Sequence, residues 1–317
     1  MLLSRVAENL YWAARYLERA EGTARIAREH TNLIIDMPTS VMSSWEPLLV
    51  ITGTRAGYDI AHQTINETDV VGYLVADRTN PGSIRSSIDQ ARENLRTCRE
   101  VLPGPAWVTV NGLYLYVGAH DAEGVARRSR SRFLDRIVTD HQRLIGVLTT
   151  TMSRDAAYTM LRLGRHVERA DMATRVLDVW ATSLMGERLE ERARYEHLQW
   201  ASLLQALSAL QMYQRGNSPV DGHVGPVRFV LDDATFPRSL RYCLDSAAHS
   251  AARLPRPERV RAAVADALAV LGRIDVAALD VAGVHAAADR LQLAIGEIHK
   301  QITSSYFRVV NTASSAE

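Results

Sequence analysis

Lysine is all but missing from this chain of 317 residues: Lys300 is the single lysine among 37 basic positions, and the other 36 are arginine. A skew of that size, alongside abundant alanine, reflects coding bias, so no single arginine can be credited with selection for its planar, forked guanidinium. Cysteine is scarce too. Cys98 and Cys243 lie far apart with no CxxC, which excludes a disulfide framework or a thiolate metal site and fits a reducing compartment. A formal charge of +1 leaves no basic footprint for nucleic acid or an anionic membrane surface. No apolar run approaches the roughly 18 residues of a membrane span, and the charged start, with Arg5 and Glu8, lacks the apolar region of a signal peptide. A cytoplasmic protein without nucleic-acid or membrane partners is expected. P-loop, GxGxxG, GxSxG and HExxH motifs are absent, and none of the ten histidines completes the Glu-x-x-His of di-iron bundles, so neither a cofactor nor a metal is expected.

What the chain does contain is a copy of itself. Residues 4 to 26, SRVAENLYWAARYLERAEGTARI, return as residues 153 to 176. At a shift of 150, Arg15, Glu18, Arg19, Ala20 and Arg25 fall on Arg165, Glu168, Arg169, Ala170 and Arg175, and Glu21 falls on Asp171. A second stretch, LVADRTNPGSIRSSIDQA at 74 to 91, returns at a shift of 156 as 230 to 247, matching Asp77/Asp233, Thr79/Thr235, Pro81/Pro237, Ser83/Ser239 and Arg85/Arg241. Two echoes in the same order imply an internal duplication, with repeats over 1–152 and 153–317. With 47% apolar residues, the chain can bury a large core.

Helical periodicity dominates. Residues 3 to 35 carry Val6, Leu10, Ala13, Leu17, Ala20 and Ala24 along one face, predicting a long helix ended by Met37-Pro38. Further helices are predicted over 42–52, 59–77, 84–101, 105–117, 121–150, 154–185, 190–215, 237–252, 257–273 and 283–307, with a loop from Gly216 to Pro226 and a frayed tail from Asn311. Val108 to Val117 alternates weakly, but a lone strand between helices has no partner. The expectation is an all-α, multi-helix bundle built from two pseudo-symmetric, internally duplicated halves. The run Arg127, Arg128, Arg130, Arg132 and Arg136 predicts a solvated face, with an anion-binding or docking patch as the alternative.

At 100° per residue, Glu8, Tyr11, Trp12, Arg15, Glu18, Arg19 and Gly22 share the side of the first helix opposite its apolar stripe. A face meant for water needs neither two aromatic rings nor a helix-weakening glycine. The two polar faces are therefore expected to cover each other, with Arg15/Glu18/Arg19 and Arg165/Glu168/Arg169 forming a connected network, since buried charges persist only when paired. Such a lattice can be structural. Alternatively, Glu18 and Glu168 serve as catalytic acid, base or ligand in a pocket where Arg15, Arg19, Arg165 and Arg169, with Glu8 and Tyr11, bind a carboxylate or phosphate. Glu21–Arg25 and Asp171–Arg175 are spaced as i,i+4 pairs, worth a few tenths of a kcal/mol if exposed. Ser83/Arg85 and Ser239/Arg241 stand at predicted helix starts, where free N–H groups favour an anion and make them further substrate-binding candidates. Capping explains the serines equally, with Asp77 and Asp233 bracing the nearby arginines.

Together these stretches, with NPGSIRSSIDQARENLR, FVLDDATFPRSLRYCLDSA and the closing IHKQITSSYFR, resemble the bacterial Alpha-E family over nearly the whole chain. The resemblance implies an all-helical protein named for its glutamates, here matched by Glu8, Glu18 and Glu168 with Glu21 and Asp171 beside them. It also implies partnership or fusion with a circularly permuted ATP-grasp ligase, commonly with a transglutaminase-like protein, and a peptide or amino-acid substrate. Tyr158 in place of a second Glu8, and Asp171 in place of a second Glu21, argue against a symmetric two-site mechanism. Three roles follow: a substrate-presenting accessory to the ligase, an enzyme acting on the ligase's product through the Glu/Arg pocket, or a metal-carboxylate bundle.

Overall fold

The computed structural model describes residues 2–37, 44–183, 195–216 and 222–307. Among them there are helices and no strands. The order is α1 (Ser4–Asp36), α2 (Glu46–Ile51), α3 (Arg55–Ala61), α4 (Glu67–Val75), α5 (Ile84–Arg96), a 3₁₀ turn (Arg99–Val101), α6 (Gly104–Val125), α7 (Arg127–Thr151) and α8 (Ala156–Ser183). It continues with α9 (Glu196–Ala206), α10 (Leu210–Gly216), α11 (Val224–Asp232), α12 (Leu240–Ala251), α13 (Glu258–Gly272), a 3₁₀ turn (Val276–Ala278) and α14 (Val281–Tyr306). No described helix is long and apolar enough to cross a membrane.

Helix boundaries follow local chemistry. Met37 is extended at the end of α1, because the residue before a proline is pushed out of the helical region. Ser83 and Ser239 cap α5 and α12, accepting the N–H of Ser86 at 3.0 Å and of Tyr242 at 3.1 Å. In both places the preceding aspartate, Asp77 or Asp233, accepts from the backbone and hydroxyl of the threonine two residues on. The two loops therefore share a turn, as their sequences do.

Several predicted helices are cut differently. Gly53, at φ +67°, ends α2 in a conformation costly for any residue with a Cβ, and the segment 59–77 divides into the end of α3 and α4. Ser208, at φ +51°, breaks 190–215 into α9 and α10. The weakly alternating Val108–Val117 lies inside α6, which runs on to Val125. The expected loop from Gly216 to Pro226 gives way at Val224 to a helix, Val224–Asp232: Pro226 falls in its first turn, where the missing N–H is not needed. The predicted tail at 311–317 lies outside the described residues.

Most of the core is one cluster in which α1 and α8 are central, and Leu33 and Met37 form a small second one with Tyr195 and Leu198. Both α5 and α7 pack on α1, while α12 and α14 pack on α8. The two central helices touch at backbone level. A Cβ on Gly164 would meet the Tyr11 carbonyl oxygen at 2.3 Å, so glycine permits this closeness. Further along, Gly22 faces the Met172 side chain.

Candidate functional site: the crossing of α1 and α8

The charges of the two helices pair across the crossing. Arg15 donates from Nε to Glu168 Oε2 at 2.5 Å, and Arg19 from Nε to Glu168 Oε1 at 2.7 Å. In the reverse direction Arg169 donates to both oxygens of Glu18, at 2.9 and 2.8 Å. Under the shift of 150, Arg19–Glu168 and Arg169–Glu18 are the same pair read twice. Both glutamates are buried, with side chains 2–3% exposed. A two-pronged guanidinium suits that position, since it satisfies both carboxylate oxygens at once.

Two partners of Glu18 were not visible in the sequence. Arg238 of the α11–α12 loop brings Nη1 to 3.8 Å from Glu18 and donates from Nη2 to Glu21 at 2.9 Å. His141 of α7 brings Nε2 to 3.4 Å from Glu18. Arg238 lies inside the repeated Pro-x-Ser motif, at the position Gly82 holds in the first repeat, and that difference was the available signal. Nothing in the sequence marked His141.

Electrostatics decide what these groups can do. Burial alone would raise Glu18, but the guanidiniums of Arg169 and Arg238 override it and hold the carboxyl far below its ordinary value of 4.5. Burial would likewise raise Glu168, and Arg15 and Arg19 bring it down. His141 is pushed down to about 3, by burial first and then by Arg169 and Arg238 against the pull of Glu18. It is therefore neutral at neutral pH, and its approach to Glu18 is not an ion pair. General acid–base work needs a group that titrates near the operating pH. The glutamates here are held ionised at neutral pH and their oxygens already accept from arginine.

The other candidates separate. Tyr11 is interior: its hydroxyl meets His299 Nδ1 at 2.9 Å and its ring stacks on the same histidine, and burial pushes it up to about 12. Glu8 is half-buried and joins no ion pair among the described residues. Arg165 departs from the expected network. Among the described residues it has no carboxylate partner and its buried Nε has no acceptor, and it borders a small cavity with Glu18, His141, Tyr158 and Arg162 that has room for about one water, 20 Å³. Ser83 and Ser239 are engaged as caps. Arg85 pairs with Asp89 at 3.1 Å and Arg241 with Asp232 at 2.5 Å, so neither is braced by Asp77 or Asp233 as expected; those aspartates face their own turn N–H groups. Glu21 and Arg25, spaced as an i,i+4 pair, are both buried and paired with each other, with Arg238 of the α11–α12 loop also on Glu21. Asp171–Arg175 stays partly exposed at 3.1 Å.

The arginine run on α7 is mixed. Arg127, Arg128 and Arg132 are exposed. Arg130 is buried, donating to Glu67 at 2.8 Å and to the Val125 carbonyl at 2.9 Å. Among the described residues, only Asp178, His285 and Asp289 bring metal-ligand atoms close together. They are largely solvent-exposed, and the hydrogen bond from His285 Nδ1 to Asp178 accounts for the grouping.

Fold and site together define a strand-free helical module whose centre is an arginine–glutamate lattice closed on itself. The chain belongs to the Alpha-E family, whose model, described as a predicted alpha-helical domain with a conserved ER motif, matches residues 2–307. Glu-Arg dipeptides of that kind, Glu18-Arg19 and Glu168-Arg169, are what cross here. The chain is also similar to uncharacterized proteins of Mycobacterium bovis and Mycobacterium tuberculosis, at 25% identity over 81% of this chain and 31% of theirs. It thus spans about a third of the length of the curated relatives it matches. No solved structure matches.

Proposed function

We propose that this chain is a non-catalytic, cytoplasmic helical module that presents a peptide or amino-acid substrate to, or holds in place, an ATP-grasp amide-bond ligase, with a transglutaminase-like protein as a further partner. The supporting observation is the saturation of Glu18 and Glu168 by arginine: a centre with no titratable proton suits a scaffold. Relatives in which the matching stretch is a third of a longer chain fit a module that works joined to other parts. The same saturation weighs against the alternative, an enzyme using these glutamates as acid and base. The internal duplication, with repeats near 1–152 and 153–317, belongs to this proposal and is supported by the reciprocal pairs and the matched capping turns. The test is co-purification of tagged chain with a circularly permuted ATP-grasp ligase from the same organism. Association at micromolar concentration is expected, and its absence there counts against the role.

A further inference from the structure

At the crossing Arg15, Arg19, Arg169 and Arg238 each meet a carboxylate, Arg165 has no ion pair among the described residues, and beyond Arg165 the half-buried Arg162 and the exposed Arg154 and Arg253 gather. At the start of α8, Arg154, Tyr158, Thr159 and Arg162 line an open pocket of about 210 Å³, closed on its other side by Ser250 and Arg253 at the end of α12. Among the described residues no carboxylate lines it. The Arg154 guanidinium lies 4.1 Å from the Tyr158 ring centroid and donates from Nη2 to the Thr149 carbonyl, and Arg253 donates from Nη2 to the Arg154 carbonyl at 3.0 Å, so each keeps N–H groups free at the rim. Arg162 joins no ion pair or hydrogen bond among the described residues. Asp155, the neighbouring acid, faces the helix start and accepts the Tyr158 N–H at 3.1 Å.

A second, independent observation lies behind this pocket. Tyr158 and Arg162 also line the small cavity that holds Arg165. Arg165 corresponds to Arg15 under the shift of 150, and Arg15 has Glu168 and, at 3.9 Å, Asp171. Reciprocity would give Arg165 the carboxylate of Glu18, but Arg169 occupies both of its oxygens. Arg162 and Arg165, three apart on one helix face, repel each other. Among the described residues no carboxylate pairs with Arg162 or Arg165, which leaves room for an anion on this side.

We propose that the pocket between the start of α8 and the end of α12 binds the oxyanion of a small ligand, a phosphoryl or carboxylate group, through Arg154, Arg162 and Arg253. Converging guanidiniums make charge-assisted, forked contacts to such groups, and the uncompensated Arg165 behind them adds to the positive potential. The inference concerns the isolated chain and stands whether or not a ligase partner exists.

Calorimetric titration with inorganic phosphate, and separately with acetate, at ionic strength held constant with sodium chloride, tests it. Saturable binding to one site is expected, with Arg162→Gln and Arg253→Gln each weakening it about tenfold or more and Arg273→Gln, exposed elsewhere, leaving it unchanged. Phosphate at about ten times its dissociation constant should raise the melting temperature by roughly 2 °C in the wild type and not in the variants. Without phosphate, Arg162→Gln should melt at or above the wild-type temperature, since it removes a like charge. Preference for acetate or for phosphate tells which oxyanion is bound. Absence of saturable binding at tens of millimolar, equal binding by the variants, or a lowered melting temperature of ligand-free Arg162→Gln would overturn the proposal.

Discussion

Arg169 of α8 grips Glu18 of α1 with two parallel hydrogen bonds, Nε to Oε2 at 2.9 Å and Nη2 to Oε1 at 2.8 Å. Replacing Glu18 strands the buried Arg169 guanidinium and removes one of the two anions beside Arg238, which keeps Glu21 at 2.9 Å. Glu18→Gln should therefore destabilise the protein by about 3–5 kcal/mol, the usual cost of breaking a buried pair by removing one member. Glu168→Gln, which strands Arg15 and Arg19, should cost as much. Urea midpoints measure both. An unchanged midpoint in either variant would remove the lattice from any account of what holds α1 to α8.

Acid should weaken the fold in two stages. His30, His141 and His166 are buried, and burial pushes His30 down to about 4, His141 to about 3 and His166 well below 6.5. A base with a depressed folded value stays neutral in the native state while the unfolded chain takes up a proton near 6.5. Stability is thus full above pH 6.5 and falls as pH drops toward 4, by up to about 1.4 kcal/mol per pH unit for each such histidine. Below about pH 4.5 the depressed carboxyls of Glu18 and Glu168 add a further loss. Urea unfolding from pH 7 to 4.5 checks the slope, and His141→Gln should reduce it by one proton's worth.

Two glycines in long helices should respond oppositely to alanine. At Gly164 the new Cβ would meet the Tyr11 backbone at 2.3 Å, and overpacking of that kind costs about 1–3 kcal/mol. At Gly146 of α7 nothing lies within 4 Å, so alanine should stabilise by about 0.5–1 kcal/mol through helix propensity. Thermal melts of Gly164→Ala and Gly146→Ala give the signs directly. Like signs would contradict the close approach of α1 and α8.

The long helices were legible because their apolar spacing is regular, with a proline just after α1 and prolines at the start of α6, and the shorter α5 and α12 because of their serine caps. The shortest ones were not: the breaks at Gly53 and Ser208 depend on backbone conformations that local composition marks weakly, and α11 hides its start behind glycines and a proline. At the crossing, the mutual cover of two polar faces could be read from Tyr11, Trp12 and Gly22 among the charges. The choice of partners could not. Arg15 and Glu18 are also neighbours along α1, so spacing alone cannot tell a pair within one helix from a pair across two, and Arg238 and His141 arrive from elements more than 100 residues away.

One surface group should titrate against the trend of the buried histidines. His285 of α14 bonds through Nδ1 to Asp178 of α8 and brings Nε2 to 3.7 Å from Asp289. The hydrogen bond to Asp178, then its charge, raises His285 above 6.5. A base with a raised folded value contributes stability that is complete below the unfolded pKa and disappears as pH climbs through the folded one. His285→Gln should therefore lower the melting temperature at pH 5.5 and have little effect at pH 8. Exposure and salt screening keep the loss small, no more than about 1 kcal/mol, so the readout is the difference between the two pH values with the wild type alongside. An equal loss at both pH values would mean that His285 acts through packing against α8 and not through its charge.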